Sequence, residues 1–259
     1  MVQALVFGVI ASSGLVIGAA VGLRFRIPER VLAAMLAFAA GALITALAFE
    51  LFEDSYELGG IWRAAVGLAV GAVVFTFLSY LLDRYAGRRP PEESPGSDKL
   101  DVDAAASDKS ASSASVSGGA GLALLAAVTL DGVPENLALG VSLGEASGGL
   151  ALLTAIFVSN FPEALVGSAS MRAQGRSAGY ILGLWGVCAA LLTLAVVLGA
   201  GPLANADRTT LSLPLAFAAG AVLASLADTL MPEAYAKGGP AVALSTAAGF
   251  LLSFVLSTL

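Results

Sequence analysis

Two short segments each place a glutamate directly after a proline inside a long apolar run. They are residues 131–136, Asp-Gly-Val-Pro-Glu-Asn, and residues 159–164, Ser-Asn-Phe-Pro-Glu-Ala. An ionisable group at bilayer depth costs about 2.5 to 3.5 kcal/mol or more, so these carboxylates need a partner. A bound cation is the simplest partner, and carboxylate, amide and hydroxyl oxygens suit divalent metals.

Helical spacing places the polar groups of each segment on one face. Asp131 and Glu135 are separated by four residues, and so are Ser159 and Glu163. Each proline also leaves the carbonyl four residues earlier without its helical hydrogen bond. One such pair alone would fit a kink beside a protonated glutamate, whereas two copies in neighbouring spans favour a cation site. The predicted metal ligands are Asp131, Glu135, Asn136, Ser159, Asn160 and Glu163.

Composition indicates a membrane protein. The chain is 58% hydrophobic and only 12% charged, far from the composition of a soluble globular domain. Runs of about 20 apolar residues, long enough to cross the hydrocarbon core, recur along the whole sequence. They predict an all-α polytopic membrane protein with eight spans, at 2–22, 31–52, 61–82, 119–142, 149–171, 177–200, 211–231 and 241–258.

The basic residues predict the orientation of these spans. With the N-terminus outside, all Lys and Arg residues except Arg63 and Arg208 fall in the inner loops. This positive-inside bias predicts a cell-membrane protein with both termini outside. Residues 84–118 form the only long polar segment and are predicted to be a disordered cytoplasmic loop. The predicted units are therefore residues 1–83, 84–118, 119–172 and 173–259.

The sequence contains an internal repeat. Residues 36–60 align without gaps on residues 215–239 at an offset of 179, and the heptapeptide Leu-Ala-Phe-Ala-Ala-Gly-Ala recurs unchanged. On the predicted topology the two copies cross the membrane in opposite directions. Such an inverted repeat is typical of transporters that alternate between two open states about a midplane site, although a purely structural bundle is also compatible with it.

The two Pro-Glu segments resemble those of the ZIP (Zrt/Irt-like) family of divalent metal transporters, whose fourth span typically reads His-Asn-x-Pro-Glu-Gly. The resemblance implies eight spans in a 3+2+3 arrangement, inward metal transport and a homodimer. It also implies a second site formed by Asn160 with the shared Glu135 and Glu163. This chain differs from the family pattern because it contains no histidine and has Asp131 at the histidine position.

The absence of histidine leaves the metal open. An oxygen-only site suits Mn²⁺, Mg²⁺, Ca²⁺ or Fe²⁺ better than Zn²⁺, which prefers nitrogen and sulfur, but carboxylates also bind Zn²⁺. No prosthetic group is expected. Two further acids within predicted spans, Glu50 and Asp228, fit equally well with ligands at the entrance or exit of the ion path and with ordinary hydrated charges.

Other functions fit the sequence less well than transport. An enzyme is disfavoured because the chain has no histidine for zinc hydrolysis and no Gly-x-Gly-Asp motif. Nucleic-acid binding is disfavoured because basic residues occur only in the loops expected of a membrane protein. A membrane sensor that binds metal without moving it and a selective cation channel remain alternatives. The expected partners are therefore divalent ions and the lipid bilayer.

Overall fold

A computed structural model describes residues 1–25, 27–85, 120–143, 149–203 and 207–258, without the side chains of residues 83, 85, 120–127, 131, 203 and 208. Throughout these ranges the regular structure is helical and no strand occurs. The α-helices are α1 (Val2–Arg24), α2 (Glu29–Ala46), α3 (Glu53–Tyr85), α4 (Ala120–Ser142), α5 (Leu150–Ala173), α6 (Ala178–Leu198), α7 (Arg208–Ser225), α8 (Met231–Gly238) and α9 (Val242–Ser257).

Several helix ends differ from the predicted spans, and α3 begins at Glu53, inside the gap predicted at residues 53–60. Helix α3 continues to Tyr85, so the predicted loop at residues 84–118 loses its first two residues to a helix. The rest of that loop lies outside the described residues. The seventh predicted span does not end at residue 231, because α7 is extended through Leu226–Leu230 into α8, which ends at Gly238.

Five helical stretches of the described chain are long and apolar enough to cross a membrane. They are Val2–Arg24, Glu29–Leu82, Leu150–Ala173, Ala178–Pro202 and Thr209–Ser257. Two of them contain 54 and 49 residues. At 1.5 Å per residue these would be about 80 and about 75 Å long if straight, well beyond the thickness of a bilayer. The described residues thus confirm an all-helical, membrane-embedded chain.

Both long stretches are interrupted at equivalent positions of the sequence repeat. Gly60 has φ 75° and ψ 171°, and Gly239 has φ 65° and ψ −158°, a region open essentially only to glycine. A π-helix precedes each break, at Leu47–Phe52 and at Leu226–Leu230. The breaks and the starts of the π-helices are each 179 residues apart, so the repeat in the sequence is also a repeat in the backbone.

The repeat extends to helix packing. Helix α2 packs along α9, and α3 packs along α7. A Cβ at Gly41 of α2 would collide with the Thr246 carbonyl, and one at Gly220, the copy of Gly41 in α7, would collide with the Leu68 carbonyl. Such glycines allow helix backbones to approach closely. We call α2, α3, α7, α8 and α9 bundle B.

The remaining helices, α1, α4, α5 and α6, form bundle A. Helix α1 packs along α5 and α6, and α4 packs along α6. Here too glycines allow backbone contact: a Cβ at Gly18 would overlap the Phe161 carbonyl, and one at Gly140 would overlap the Val196 carbonyl. Among the described residues, every glycine whose Cβ would overlap another helix makes that contact within its own bundle.

The two bundles meet through side chains. Helix α2 packs on α5, and α4 packs on α7. The apolar core at this interface combines Leu43 of α2, Leu139 of α4, Ile156 of α5 and Val222 of α7. A second core lies within bundle A and includes Leu15, Ala164, Trp185 and Leu192.

Candidate functional site

The two prolines lie within continuous helices, Pro134 in α4 and Pro162 in α5. Along each helix, the residues before and after the Pro-Glu segment belong to different apolar cores, and in α4 these residues are Val128 and Leu139. Leu139 and Ile156, one turn from Glu135 and Asn160, belong to the interface core, whereas Ala164, next to Glu163, belongs to the bundle A core. The polar residues of both helices thus lie where the helix passes from one core to the other, and we call them the polar band: Glu135, Asn136, Ser159, Asn160 and Glu163.

Most of this band is deeply buried. Glu135 is 6% exposed, Asn136 0%, Ser159 2% and Asn160 3%, and Glu163 is half-buried. Neither glutamate is without an interaction partner. Asp131 belongs to α4, but its side chain lies outside the described part of the structure.

Asn136 presents an unsatisfied oxygen. Its Nδ2 donates a 2.8 Å hydrogen bond to the Gly132 carbonyl, whereas its buried Oδ1 has no hydrogen-bond partner among the described residues. An unsatisfied buried acceptor costs about 1 to 3 kcal/mol. Because Asn136 follows Glu135 directly, its Oδ1 atom is available as a metal ligand beside that glutamate.

The α5 side chains are held by local and neighbouring backbone. Asn160 Nδ2 donates a 3.1 Å hydrogen bond to the Ala11 carbonyl of α1. Ser159 Oγ donates a 3.0 Å hydrogen bond to the Ile156 carbonyl of its own helix. The Ser159 oxygen therefore keeps lone pairs that can accept a hydrogen bond or bind a cation.

Acidic side chains alone do not form a complete metal site in the described residues. Among the side chains described, no three His, Cys, Asp or Glu residues lie close enough together to hold a metal ion. The predicted group of three carboxylates requires Asp131, which that description does not cover. The described band consists of two glutamates, two asparagines and a serine.

Glu50 lies away from this band. It is 6% exposed, and its Oε2 accepts a 3.0 Å hydrogen bond from the backbone N–H of Leu152 in the first turn of α5. Leu152 and Glu163 are eleven residues apart, about 16 Å along the helix. Glu50 therefore caps α5. Sequence reasoning missed this role, because the only local signal is that α5 begins after Gly149, which has no capping side chain.

Asp228 is also separate from the band. It is exposed in the single chain, and its Oδ2 accepts a 2.8 Å hydrogen bond from Ser79 Oγ of α3. Both Glu50 and Asp228 lie in the π-helices, but at different positions of the repeat, since the residue equivalent to Glu50 is Thr229. π-Helical segments occur frequently at functional sites.

An apolar groove lies beside the polar band. It has a volume of about 450 Å³ and lies between α2, α5 and α9, with Met35, Phe38, Phe157 and Phe161 among its lining residues. Among the described residues, no charged side chain lines this groove.

No known protein-family model matches this chain, and no curated protein matches its sequence significantly.

Proposed function

We propose that this chain is a membrane transporter of divalent metal cations that binds its substrate between α4 and α5. The observation that supports this most strongly is the polar band of buried oxygen donors, at which α4 and α5 each pass from one apolar core to the other. Within it, the Asn136 Oδ1 atom has no hydrogen-bond partner in the described structure. A band of this kind is costly in an apolar chain, and a bound cation offsets the cost.

The proposed ligands are Glu135, Asn136, Ser159, Asn160 and Glu163, with Asp131 as a further carboxylate. Three carboxylates around a divalent ion leave a net charge of −1, so the ion's charge is well compensated. Oxygen donors of this kind favour Mn²⁺, Fe²⁺ or Mg²⁺ over Zn²⁺, which histidine and cysteine bind better. The ZIP-like Pro-Glu segments support the same substrate class by resemblance.

The proposed topology has eight crossings in a 3+2+3 arrangement, with both termini outside the cell membrane. Parallel helix pairs support it. Gly14 and Gly18 of α1 meet Phe157 and Phe161 of α5 in the same order along both helices. Likewise, Gly67 and Gly71 of α3 meet Leu213 and Phe217 of α7. If crossings alternate in direction, the first and fifth are parallel, and so are the third and seventh.

The two bundles suggest how the metal is released on the opposite side. Helices within a bundle touch through glycine backbones, which lets them pack closely and move together. The interface between bundles is made by side chains such as Leu43 and Ile156, which can repack. We propose that bundle A, with its metal, moves against bundle B, and that the inverted repeat provides two related end states.

Purified protein reconstituted in liposomes tests this proposal. Transport predicts saturable entry of Mn²⁺ or Fe²⁺ that is lost when Glu135 and Glu163 are replaced by glutamine. Saturable binding without flux would identify a sensor instead. Ionic currents that do not saturate at low metal concentration would identify a channel.

A further inference from the structure

The hydrogen bond between Glu50 and Leu152 joins the two bundles. Glu50 belongs to the π-helix that follows α2 in bundle B, whereas Leu152 belongs to α5 of bundle A. The pair is separated by 102 residues, and both partners are buried. Backbone N–H groups in the first turn of a helix have no partner within the helix, and their dipoles favour a carboxylate. Helix α5 follows Gly149, whose lack of a side chain leaves this role to another residue.

The other copy of the repeat lacks such a bond at the equivalent residue. Thr229 occupies the position of Glu50, is exposed, and donates a 2.8 Å hydrogen bond to the Ser225 carbonyl of its own helix. The Glu50 bond is therefore a feature of one end of the interface and not a general property of the repeat. On the proposed topology this is the outer end, about 16 Å from Glu163 along α5.

We infer that Glu50 is a positioning residue that ties bundle B to the first turn of α5 and keeps the outer end of the bundle interface closed. The inference rests on the proposed movement of the bundles. Metal can reach the polar band from outside only after this bond breaks. Replacing Glu50 should therefore shift the protein toward a state that is open at this end.

Thiol labelling in detergent tests the inference without requiring flux. Ala155 is fully buried in the interface core, one turn after Leu152, and Ala37 is buried in a separate core that includes Leu165 of α5. Each is replaced by cysteine in a Cys188→Ala background, since Cys188 is the only native cysteine. The rate of modification by a polar thiol reagent is then compared with Glu50 intact and with Glu50→Ala.

At Ala155→Cys, we expect Glu50→Ala to increase the labelling rate at least about tenfold, which is the effect of leaving one buried donor without its hydrogen bond. Glu50→Gln keeps an acceptor oxygen and should restore most of the protection. Glu53→Ala removes an exposed acid three residues away and should change nothing. At Ala37→Cys the rate should stay constant or fall, because the opposite end closes as the outer end opens.

The inference would be overturned if Glu50→Ala left the labelling rate at Ala155→Cys unchanged, or if Glu50→Gln gave no protection there. It would also be overturned if Glu50→Ala accelerated labelling equally at Ala155→Cys and Ala37→Cys, because that result indicates general loosening of the fold. If Glu50→Ala does not yield folded protein, Glu50→Asp replaces it, because its side chain is one methylene shorter and should not reach Leu152. If Glu50→Ala accelerates labelling at Ala155→Cys but not at Ala37→Cys, and the protein moves no metal, the role of Glu50 would be supported and the transport function contradicted.

Discussion

Asn160 Nδ2 donates a hydrogen bond to the Ala11 carbonyl at 3.1 Å, which ties the candidate site to α1. A Cβ at Gly14 would lie 3.2 Å from the Asn160 Cβ, so the two helices approach closely at the level of the polar band. The site therefore does not sit on a single kinked helix. Its position depends on the packing of α5 against α1 within bundle A.

The close approach of α1 and α5 predicts that replacing Gly18 by a larger residue destabilises the protein. In Gly18→Ala the new Cβ would overlap the Phe161 carbonyl, directly before Pro162 and Glu163. We expect the midpoint of thermal unfolding to fall by at least about 5 °C, as for a substitution that costs a few kcal/mol.

Gly186→Ala is the matched control, because outside the adjacent backbone of its own helix no atom lies within 4 Å of its added Cβ. Its midpoint should stay within about 2 °C of the parent protein, since the effect of glycine to alanine in an open helical position is small. Equal unfolding midpoints for the two variants would contradict the packing described here.

The unpaired oxygen of Asn136 predicts different effects on stability and on metal binding. Asn136→Leu removes a buried acceptor that has no hydrogen-bond partner among the described residues, but it also removes the Nδ2 hydrogen bond to Gly132. Because these two effects offset each other, the stability of the metal-free protein should change little. The same change removes a proposed ligand, so the rise in unfolding temperature caused by Mn²⁺ should become smaller. Thermal unfolding with and without Mn²⁺ measures both effects. An undiminished response to Mn²⁺ would show that Asn136 is not a ligand.

The absence of histidine predicts a weak preference for Zn²⁺. Mn²⁺ should compete effectively with Zn²⁺ for uptake into proteoliposomes, because all the proposed ligands are oxygen atoms. Asp131→His introduces an imidazole nitrogen and should raise the ratio of Zn²⁺ to Mn²⁺ affinity at least about tenfold. Glu57→His, at an exposed position, controls for a nonspecific effect of histidine. A wide preference for Zn²⁺ in the unmodified protein would contradict an oxygen-only site.

Much of the helical framework could be predicted from the sequence, because long apolar runs are visible in the local composition. The repeat is visible because its two copies align without gaps. The repeat also contains the paired glycines Gly60 and Gly239, whose positive φ values break the long helices. The burial of Glu135 and Asn136 followed from their position within an apolar run.

The features that could not be predicted depend on contacts between distant residues. The cap formed by Glu50 requires Leu152, 102 residues later, to be placed beside it. From the sequence alone, an acid near the end of a span is interpreted as a hydrated residue or as a residue that lines the ion path. The π-helix at Leu47–Phe52 has no distinct sequence signature either, since its residues are ordinary helix formers. The division into two bundles likewise appears only in the pattern of helix packing.

The most direct test of a cation site between α4 and α5 is divalent metal uptake by proteoliposomes containing the double variant Glu135→Gln/Glu163→Gln. Both substitutions preserve side-chain size and remove the charge that binds the ion. We expect Mn²⁺ uptake to fall at least about thirtyfold, equivalent to about 2 kcal/mol. Glu53→Gln/Glu57→Gln, at two exposed positions, should transport normally. Metal uptake by a folded Glu135→Gln/Glu163→Gln protein at the rate of this control would contradict the proposed site.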